Sequence, residues 1–285
     1  MYVISGELIE WHQGDKFAIA VNDCLNSIGL KSEVRKNTDG IDKNEMIMVI
    51  DVRSMKDVRV NWKGPVILYN LLEAYGEFST GIKRIKRWIR ALKNRRVNYV
   101  FDYSPLNFSE LKKSGFNPIY TPIGYHESFE LKKIDTPVYD ISFTGVNSKI
   151  RDRFIRKLQE IFNMHVFGFL PKKRGFSEES FKSKIYLHIN RTDLVRNFPS
   201  ARIIQLYLSN KMPVISDKTE WSPIVGDGVH YDTFDNFEDL VSKIRYYLEH
   251  EKERVEMGRR GYDYIKSKYR LEDHLKDALT EAKLV

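Results

Sequence analysis

The amino-acid sequence predicts an α/β protein made of two successive modules, each with a mostly parallel sheet. Three observations predict this. Short apolar runs alternate with helical patterns from the first residue to about residue 121. The alternation pauses over 121–137, where proline, glycine and charge replace periodicity, and then restarts. Runs such as Met46–Val52 and Pro65–Leu71 have the character of strands covered on both faces. Strands alternating with helices in this way give βαβ units and parallel pairing.

The elements follow in order. Met1–Ser5 reads as a strand, and Asp15 to Leu30 as a helix ending at Gly29. After the strands Met46–Val52 and Pro65–Leu71 comes an amphipathic helix, Gly81 to Lys93. Asn98–Phe101 is a strand, Phe108–Gly115 a short helix and Pro118–Thr121 a further strand. In the second module, Tyr139–Thr144 is a strand ending at Gly145. The helix Ile150–Phe162 follows, with its apolar positions at Phe154, Ile155, Leu158, Ile161 and Phe162. His165–Phe169 and Ile185–Ile189 are strands, Ser200–Leu208 a helix and Pro213–Ser216 a strand. Phe237–His250 and Glu253–Ser267 are the closing helices.

Composition narrows the class. The chain has 285 residues, 42% of them hydrophobic, enough for one large core or two moderate ones. Aromatic residues at 13% argue against disorder. No apolar run approaches the roughly 18 residues that a membrane-spanning helix needs. The start, Met1 to Trp11, lacks a basic flank followed by a long apolar stretch, so no secretory signal is read there. A cytoplasmic protein is the expectation. The single cysteine, Cys24, falls in a segment of helical apolar spacing and reads as a small buried hydrophobe rather than a nucleophile. The net charge of +8 favours anionic partners: nucleic acid, a lipid surface or a phosphorylated ligand.

Several chemistries are missing from the sequence. There is no phosphate loop of the G-x-x-x-x-G-K-[ST] type. The one G-x-G, Gly226-Asp227-Gly228, meets Tyr231 where the dinucleotide fingerprint needs glycine. Neither G-x-S-x-G nor H-E-x-x-H occurs, and no Cys/His set has zinc spacing. No two aspartates are separated by a single residue, so no such pair can hold a divalent ion on a diphosphate, and a metal-independent mechanism is expected.

Four stretches of the second half resemble the donor-binding domain of GT-B glycosyltransferases, nearest to the group-1, CgeB/YkvP-like branch. Asp140 to Gly145 followed by Lys149-Ile150-Arg151-Asp152-Arg153 looks like the family's first strand and glycine loop. Leu187 to Arg191 looks like its donor-cleft strand. Pro199 to Gln205, running to Lys211-Met212-Pro213-Val214-Ile215-Ser216, resembles the signature helix and strand. Gly226 to Tyr231, Phe237 to Leu240 and the helices up to Tyr269 resemble the family's ending. The resemblance covers roughly residues 118–270. It implies two Rossmann-like domains facing each other across a cleft. An acceptor-side domain would span 1–133 and a nucleotide-sugar donor domain 134–270, with 271–285 packing back on the first. It implies a hexosyltransferase that uses a GDP- or UDP-sugar and no other cofactor. The compact architecture also resembles glycosyltransferases of large algal DNA viruses, which tilts the donor toward a GDP-linked deoxyhexose. Three positions depart from the family pattern. The signature glutamate is Gln205, and Asn197 lies eight residues earlier where relatives carry a carboxylate. Asn210 stands in place of the usual glycine, and its left-handed backbone tolerance would suit a helix end.

A metal-free donor site needs backbone N–H groups and guanidinium groups for the diphosphate. Gly145, Asn147 and Ser148 open a helix directly after a strand and supply the first. Arg191 and Arg202 are the expected diphosphate ligands, since a guanidinium matches phosphate in a bidentate fashion. Lys149, Arg151 and Arg153 are nearby, and at least two of them are expected on a solvated face. Ser200 is expected to cap a helix and reach a phosphate, and Gln205 to hold the ribose. Phe169 and Tyr186 lie near the base pocket, with core packing the stronger expectation. An inverting reaction needs a base from the first domain. Asp15, in the loop after the first strand, and Glu73, after another, are the candidates, and His126 in the linker is a candidate contact for the donor sugar.

The segment 80–100 carries eight Lys or Arg and no acid, opposite an apolar stripe of Ile82, Ile85, Ile89 and Leu92. A surface helix packed on the sheet is expected over 82–96, with an anionic membrane surface or an anionic acceptor as sharper readings. A nucleic-acid-binding α/β protein is the rival function. Aromatic residues are not interleaved with the basic run as single-strand platforms require, so nucleic acid is not expected as a partner. An inactive glycosyltransferase-like scaffold and a sugar-nucleotide epimerase are the other rivals.

Overall fold

The computed structural model describes residues 1–5, 14–71, 86, 88–131, 136–145, 148–168, 181–190, 203–219, 222–224 and 226–285. Of Asp15, Gln205 and Leu206 it describes the backbone alone. The chain divides into two units, Met1–Gly124 with Arg270–Val285, and Tyr125–Tyr269. The first boundary therefore falls at 124/125 rather than at 133/134.

In the first unit β1 (Tyr2–Ile4), α1 (Gly14–Ser27), β2 (Glu33–Arg35), β3 (Ile47–Ile50), β4 (Val66–Asn70), β5 (Tyr99–Asp102), α2 (Phe108–Lys113) and β6 (Pro118–Tyr120) follow one another. The sheet runs β2-β1-β3-β4-β5-β6 with every pair parallel. Every residue of β3 and β4 is buried, as interior strands between two helical layers must be. α1 turns Phe17, Val21, Cys24 and Leu25 inward at helical spacing and leaves Ile19 outside. Burial, reinforced by Glu272, pushes the Cys24 thiol up to about 12 and leaves it inert. A helix at 88–94 presents Trp88 and Leu92 to a core shared with Met55, Val58 and Trp62.

The second unit contains β7 (Tyr139–Gly145), α3 (Lys149–Gln159), β8 (Met164–Gly168), β9 (Ser183–His188), β10 (Val214–Asp217), β11 (Asp232–Phe234), α4 (Phe237–Glu249) and α5 (Glu251–Lys268). Its sheet is β11-β10-β9-β7-β8, again parallel throughout. Its core gathers Ile141, Phe143, Ile155, Leu158, Leu187, Ile215, Leu240 and Met257. The last helix, α6 (Leu271–Glu281), returns to the first unit, where Ser27 Oγ donates to Glu272 Oε1 at 2.7 Å beside α1.

Two strands escape a reading by apolar runs. β2 pairs only with β1 and leaves Glu33 and Arg35 exposed. β11 buries Asp232 and Thr233: Lys243 and Tyr247 donate to the Asp232 carboxylate, and the Thr233 hydroxyl donates to Asp227 Oδ1. The helix expected over Ser200–Leu208 is, in its described part, a π-helical turn (Ile203–Tyr207) followed by a 3-10 turn (Leu208–Asn210). Of the helix expected over 81–93, residues 81–85 and 87 lie outside the described residues.

His274, in α6, gives the fold an acid-sensitive point. Burial lowers its pKa to about 4, against the opposing pull of Asp273 and Asp277. Its folded value lies below the ordinary value of about 6.5, so between those limits the unfolded chain binds a proton that the folded chain refuses. Stability is therefore lost as pH falls through this window, by about 2–3 kcal/mol at pH 4.5. Equilibrium unfolding at pH 7 and pH 4.5 should show His274→Gln losing less stability over that interval than the parent.

Candidate functional site

In each unit the first strand lies inside the sheet, with the second strand on one side and the third on the other. Chain order reverses between β1 and β3, and again between β7 and β9. In open parallel sheets such a reversal leaves a crevice outside the carboxyl ends of the strands, where ligands bind.

In the second unit the crevice is bounded by Thr144 and Gly145 at the end of β7, by His188 at the end of β9 and by Ile189 and Asn190 after it, all buried. Arg151 enters it from the first turn of α3. Its side chain is buried, its Nε donates to the Ile189 carbonyl at 2.9 Å, and its guanidinium lies 5.3 Å from the centre of the Phe143 ring. Ser148 caps this helix, its Oγ accepting from the Arg151 N–H at 3.3 Å. The positive end of the α3 dipole and a buried cation thus share one crevice, the combination that suits an anionic group. Lys149 and Arg153, on either side, are exposed.

The crevice walls are pinned from behind. The Asn190 N–H and Nδ2 both donate to the Asp217 carboxylate at 2.8 Å, which fixes the exit from β9. Tyr207, in the π-helical turn, donates to Thr144 Oγ1 at 2.9 Å and lies against Tyr186, ring centroids 4.5 Å apart. Both tyrosines are fully buried, so Tyr186 belongs to the core.

The residues expected to act distribute as follows. Gly145 ends β7 at the crevice. Asn147, Arg191, Ser200 and Arg202 lie outside the described residues, as do Glu73, Phe169 and Asn197. Gln205 is in the π-helical turn and Asp15 in the first turn of α1, with their side chains outside the description. His126 is not in a linker but in the second unit, where it caps a 3-10 turn. Its Nδ1 accepts from the Ser128 N–H at 3.2 Å, and its ring meets Phe129 edge-on at 6.0 Å. Asn210 does not adopt the left-handed conformation. Lys211 does, with φ of 59°. The Asn210 side chain instead accepts from the Leu131 N–H at 2.7 Å and donates to the Phe129 carbonyl at 3.1 Å, tying the incoming segment to this turn.

One pair in the first unit was not anticipated. Asp51, directly after β3 at the other chain reversal, has φ of 68°. An aspartate held there stores backbone strain. Its carboxylate accepts from the Arg53 N–H at 2.9 Å, from Nε at 3.0 Å and from Nη2 at 2.8 Å. The Asp51 side chain is 2% exposed and that of Arg53 34%, so the arginine is what a ligand would meet. A charge inside the otherwise apolar run Met46–Val52 is the sequence trace of this pair. Among the described residues no group of three His, Cys, Asp or Glu is placed to hold a metal ion, and no helix is long and apolar enough to cross a membrane.

Two parallel sheets, each with a crevice at its chain reversal, define the doubly wound class of α/β protein, in which ligands bind at such crevices. Comparison refines this. Residues 151–280 match the family model described as glycosyl transferase-like. Similar solved structures include the DNA-modifying enzyme β-glucosyltransferase, with TM-score 0.62, 14% identity and coverage of 98% of this chain and 99% of that one. An α-glucosyltransferase in complex with UDP-glucose and DNA containing an abasic site gives TM-score 0.64 and 8% identity, covering 99% and 98%. HepE of Anabaena, in complex with UDP and glucose, gives 0.57 and 8%, covering 93% and 89%. No protein of curated function matches the chain in sequence. The chain has the two-unit α/β fold of these GT-B glycosyltransferases, and residues 151–280, most of them in its second unit, carry a glycosyl transferase-like sequence.

Proposed function

We propose that the chain moves a hexose or deoxyhexose from a UDP- or GDP-sugar to a glycan, lipid-linked or protein acceptor, without a bound metal ion. The observation that carries this reading is the buried Arg151 guanidinium beside the capped start of α3. In the reaction the acceptor oxygen bonds to the anomeric carbon while the bond to the phosphate oxygen breaks. The acceptor proton goes to a base, and the nucleoside diphosphate departs with the electron pair. Charge grows on the departing oxygen, and preorganised donors stabilise it most effectively. The α3 N–H groups, Arg151, Arg191 and Arg202 are assigned to that charge, Ser200 to a phosphate and Gln205 to the ribose. Asp15 or Glu73 would receive the proton in an inverting reaction, and His126 would meet the donor sugar only from its capping position. The UDP and UDP-glucose in two of the similar structures favour UDP over GDP. Cytoplasmic placement belongs to the same proposal.

The test is release of UDP or GDP from a panel of sugar nucleotides, with and without EDTA. Turnover that EDTA leaves unchanged is expected. Turnover abolished by EDTA and restored by a divalent ion would remove the metal-free part of the reading. Absence of turnover with every donor would favour the inactive scaffold.

A second reading of the acceptor has its own support. The net charge is +8, and two similar structures that share almost the full length of this chain are a DNA-modifying glucosyltransferase and a glucosyltransferase bound to DNA. On this reading the acceptor is a hydroxyl of nucleic acid.

A further inference from the structure

The cationic residues of 86–96 form a surface that the donor site does not use. Lys86, Arg90 and Lys93 recur every three or four residues and are exposed, as is Arg96 just beyond the helix end. No carboxylate among the described residues pairs with any of them. The opposite side is already occupied. Trp88 and Leu92 are buried against Met55, Val58 and Trp62, with Ile89 packed alongside. Arg95 Nε holds the Met55 carbonyl at 3.0 Å and locks the helix end in place, next to the exposed Lys56.

This geometry discriminates among anionic partners. A helix lying in a lipid interface inserts an apolar face, and here that face is spent on the core. None of the large exposed hydrophobics among the described residues lies on this helix. Single-stranded nucleic acid is held by stacking on aromatic rings, and the one tryptophan of this helix is buried. What remains is a rigid row of cations about 5 Å apart along a helix rising about 1.5 Å per residue. Each strand of duplex nucleic acid presents about one phosphate per 3.4 Å of axis, a spacing on the scale of the row, so one backbone can meet these cations together.

We infer that the exposed face of 86–96 docks on the phosphate backbone of duplex nucleic acid. The inference rests on the nucleic-acid reading of the acceptor, and it is tested by binding rather than by transfer.

Fluorescence anisotropy with a labelled 20-base-pair DNA duplex is measured for the parent chain and for Lys86→Gln/Arg90→Gln/Lys93→Gln, each over 0.05 to 0.2 M salt. Four phosphate contacts predict that parent affinity falls about 100-fold over that range, and that the triple variant falls only about fourfold. At 0.05 M salt the variant should bind the duplex at least tenfold more weakly, with an unchanged urea midpoint and unchanged donor turnover. Equal affinity and equal salt dependence in the two proteins would overturn the inference. So would loss of binding to phosphatidylserine vesicles in the variant when the duplex is not bound by the parent. A duplex that binds through this face and accepts no sugar would sink the acceptor reading alone.

Discussion

Arg151→Met is expected to lower kcat/KM for the sugar donor about 100- to 1,000-fold, or roughly 3–4 kcal/mol of transition-state stabilisation. The arginine does two things at the chain reversal between β7 and β9. It places a buried positive charge in the crevice, and through Nε it holds the Ile189 carbonyl at the point where the chain runs toward Arg191. Methionine keeps much of the bulk and removes both. Arg151→Lys separates them, because an ammonium restores the charge without the planar fork. Recovery of no more than about tenfold by lysine is expected, since the geometric part is not replaced. Leaving the Ile189 carbonyl without this donor should also cost about 1–3 kcal/mol of folding free energy. Steady-state kinetics and urea unfolding on the two variants check this, and a methionine variant with parental kcat/KM would remove Arg151 from the site.

The largest expected stability effect lies elsewhere. Gly258→Ala should destabilise the chain by about 3 kcal/mol, although alanine in a helix interior ordinarily gains up to about 1 kcal/mol over glycine. A Cβ at Gly258 would sit 2.3 Å from the Lys211 carbonyl oxygen, which is backbone and cannot rotate away. Lys211 is itself fixed in the left-handed region, and the neighbouring Asn210 is tied to Phe129 and Leu131. α5 can therefore dock on this turn only where it has no side chain. Gly261, three residues on, makes a similar approach, 2.6 Å from the His230 carbonyl oxygen. Urea unfolding should show a lower midpoint with the same slope. Lys252→Ala, at an exposed position of the same helix, should stay within about 0.5 kcal/mol of the parent.

What the sequence disclosed depends on burial. β3, β4, β7 and β9 are legible because both faces are covered and the residues read as apolar runs. β2 and β11 are not, since one is an exposed edge and the other buries aspartate and threonine through side-chain hydrogen bonds. The π-helical winding of Ile203–Tyr207 leaves no periodic trace in five residues. Arg151 was legible only in part. In Lys149-Ile150-Arg151-Asp152-Arg153 it looks like one more solvated cation. Yet it precedes Ile155 by four residues and Leu158 by seven, which puts it on the buried stripe of α3. A charge on an apolar stripe is the signal to look for. Asp51 leaves the same kind of trace, an acid inside a strand-like run. A lone histidine in a proline- and glycine-rich segment gives no sign in sequence of the capping role that the His126 Nδ1 takes.

The central claim is that the second unit holds the diphosphate of a sugar nucleotide at the β7/β9 crevice. A thermal-shift panel with UDP, GDP, ADP, CMP and no ligand tests it most directly. A nucleotide at 100 times its dissociation constant should stabilise the chain by roughly 2.7 kcal/mol. The expected result is a selective rise in midpoint with UDP or GDP that Arg151→Met abolishes. No shift with any nucleotide at millimolar concentration, or an equal shift in the methionine variant, would contradict the account.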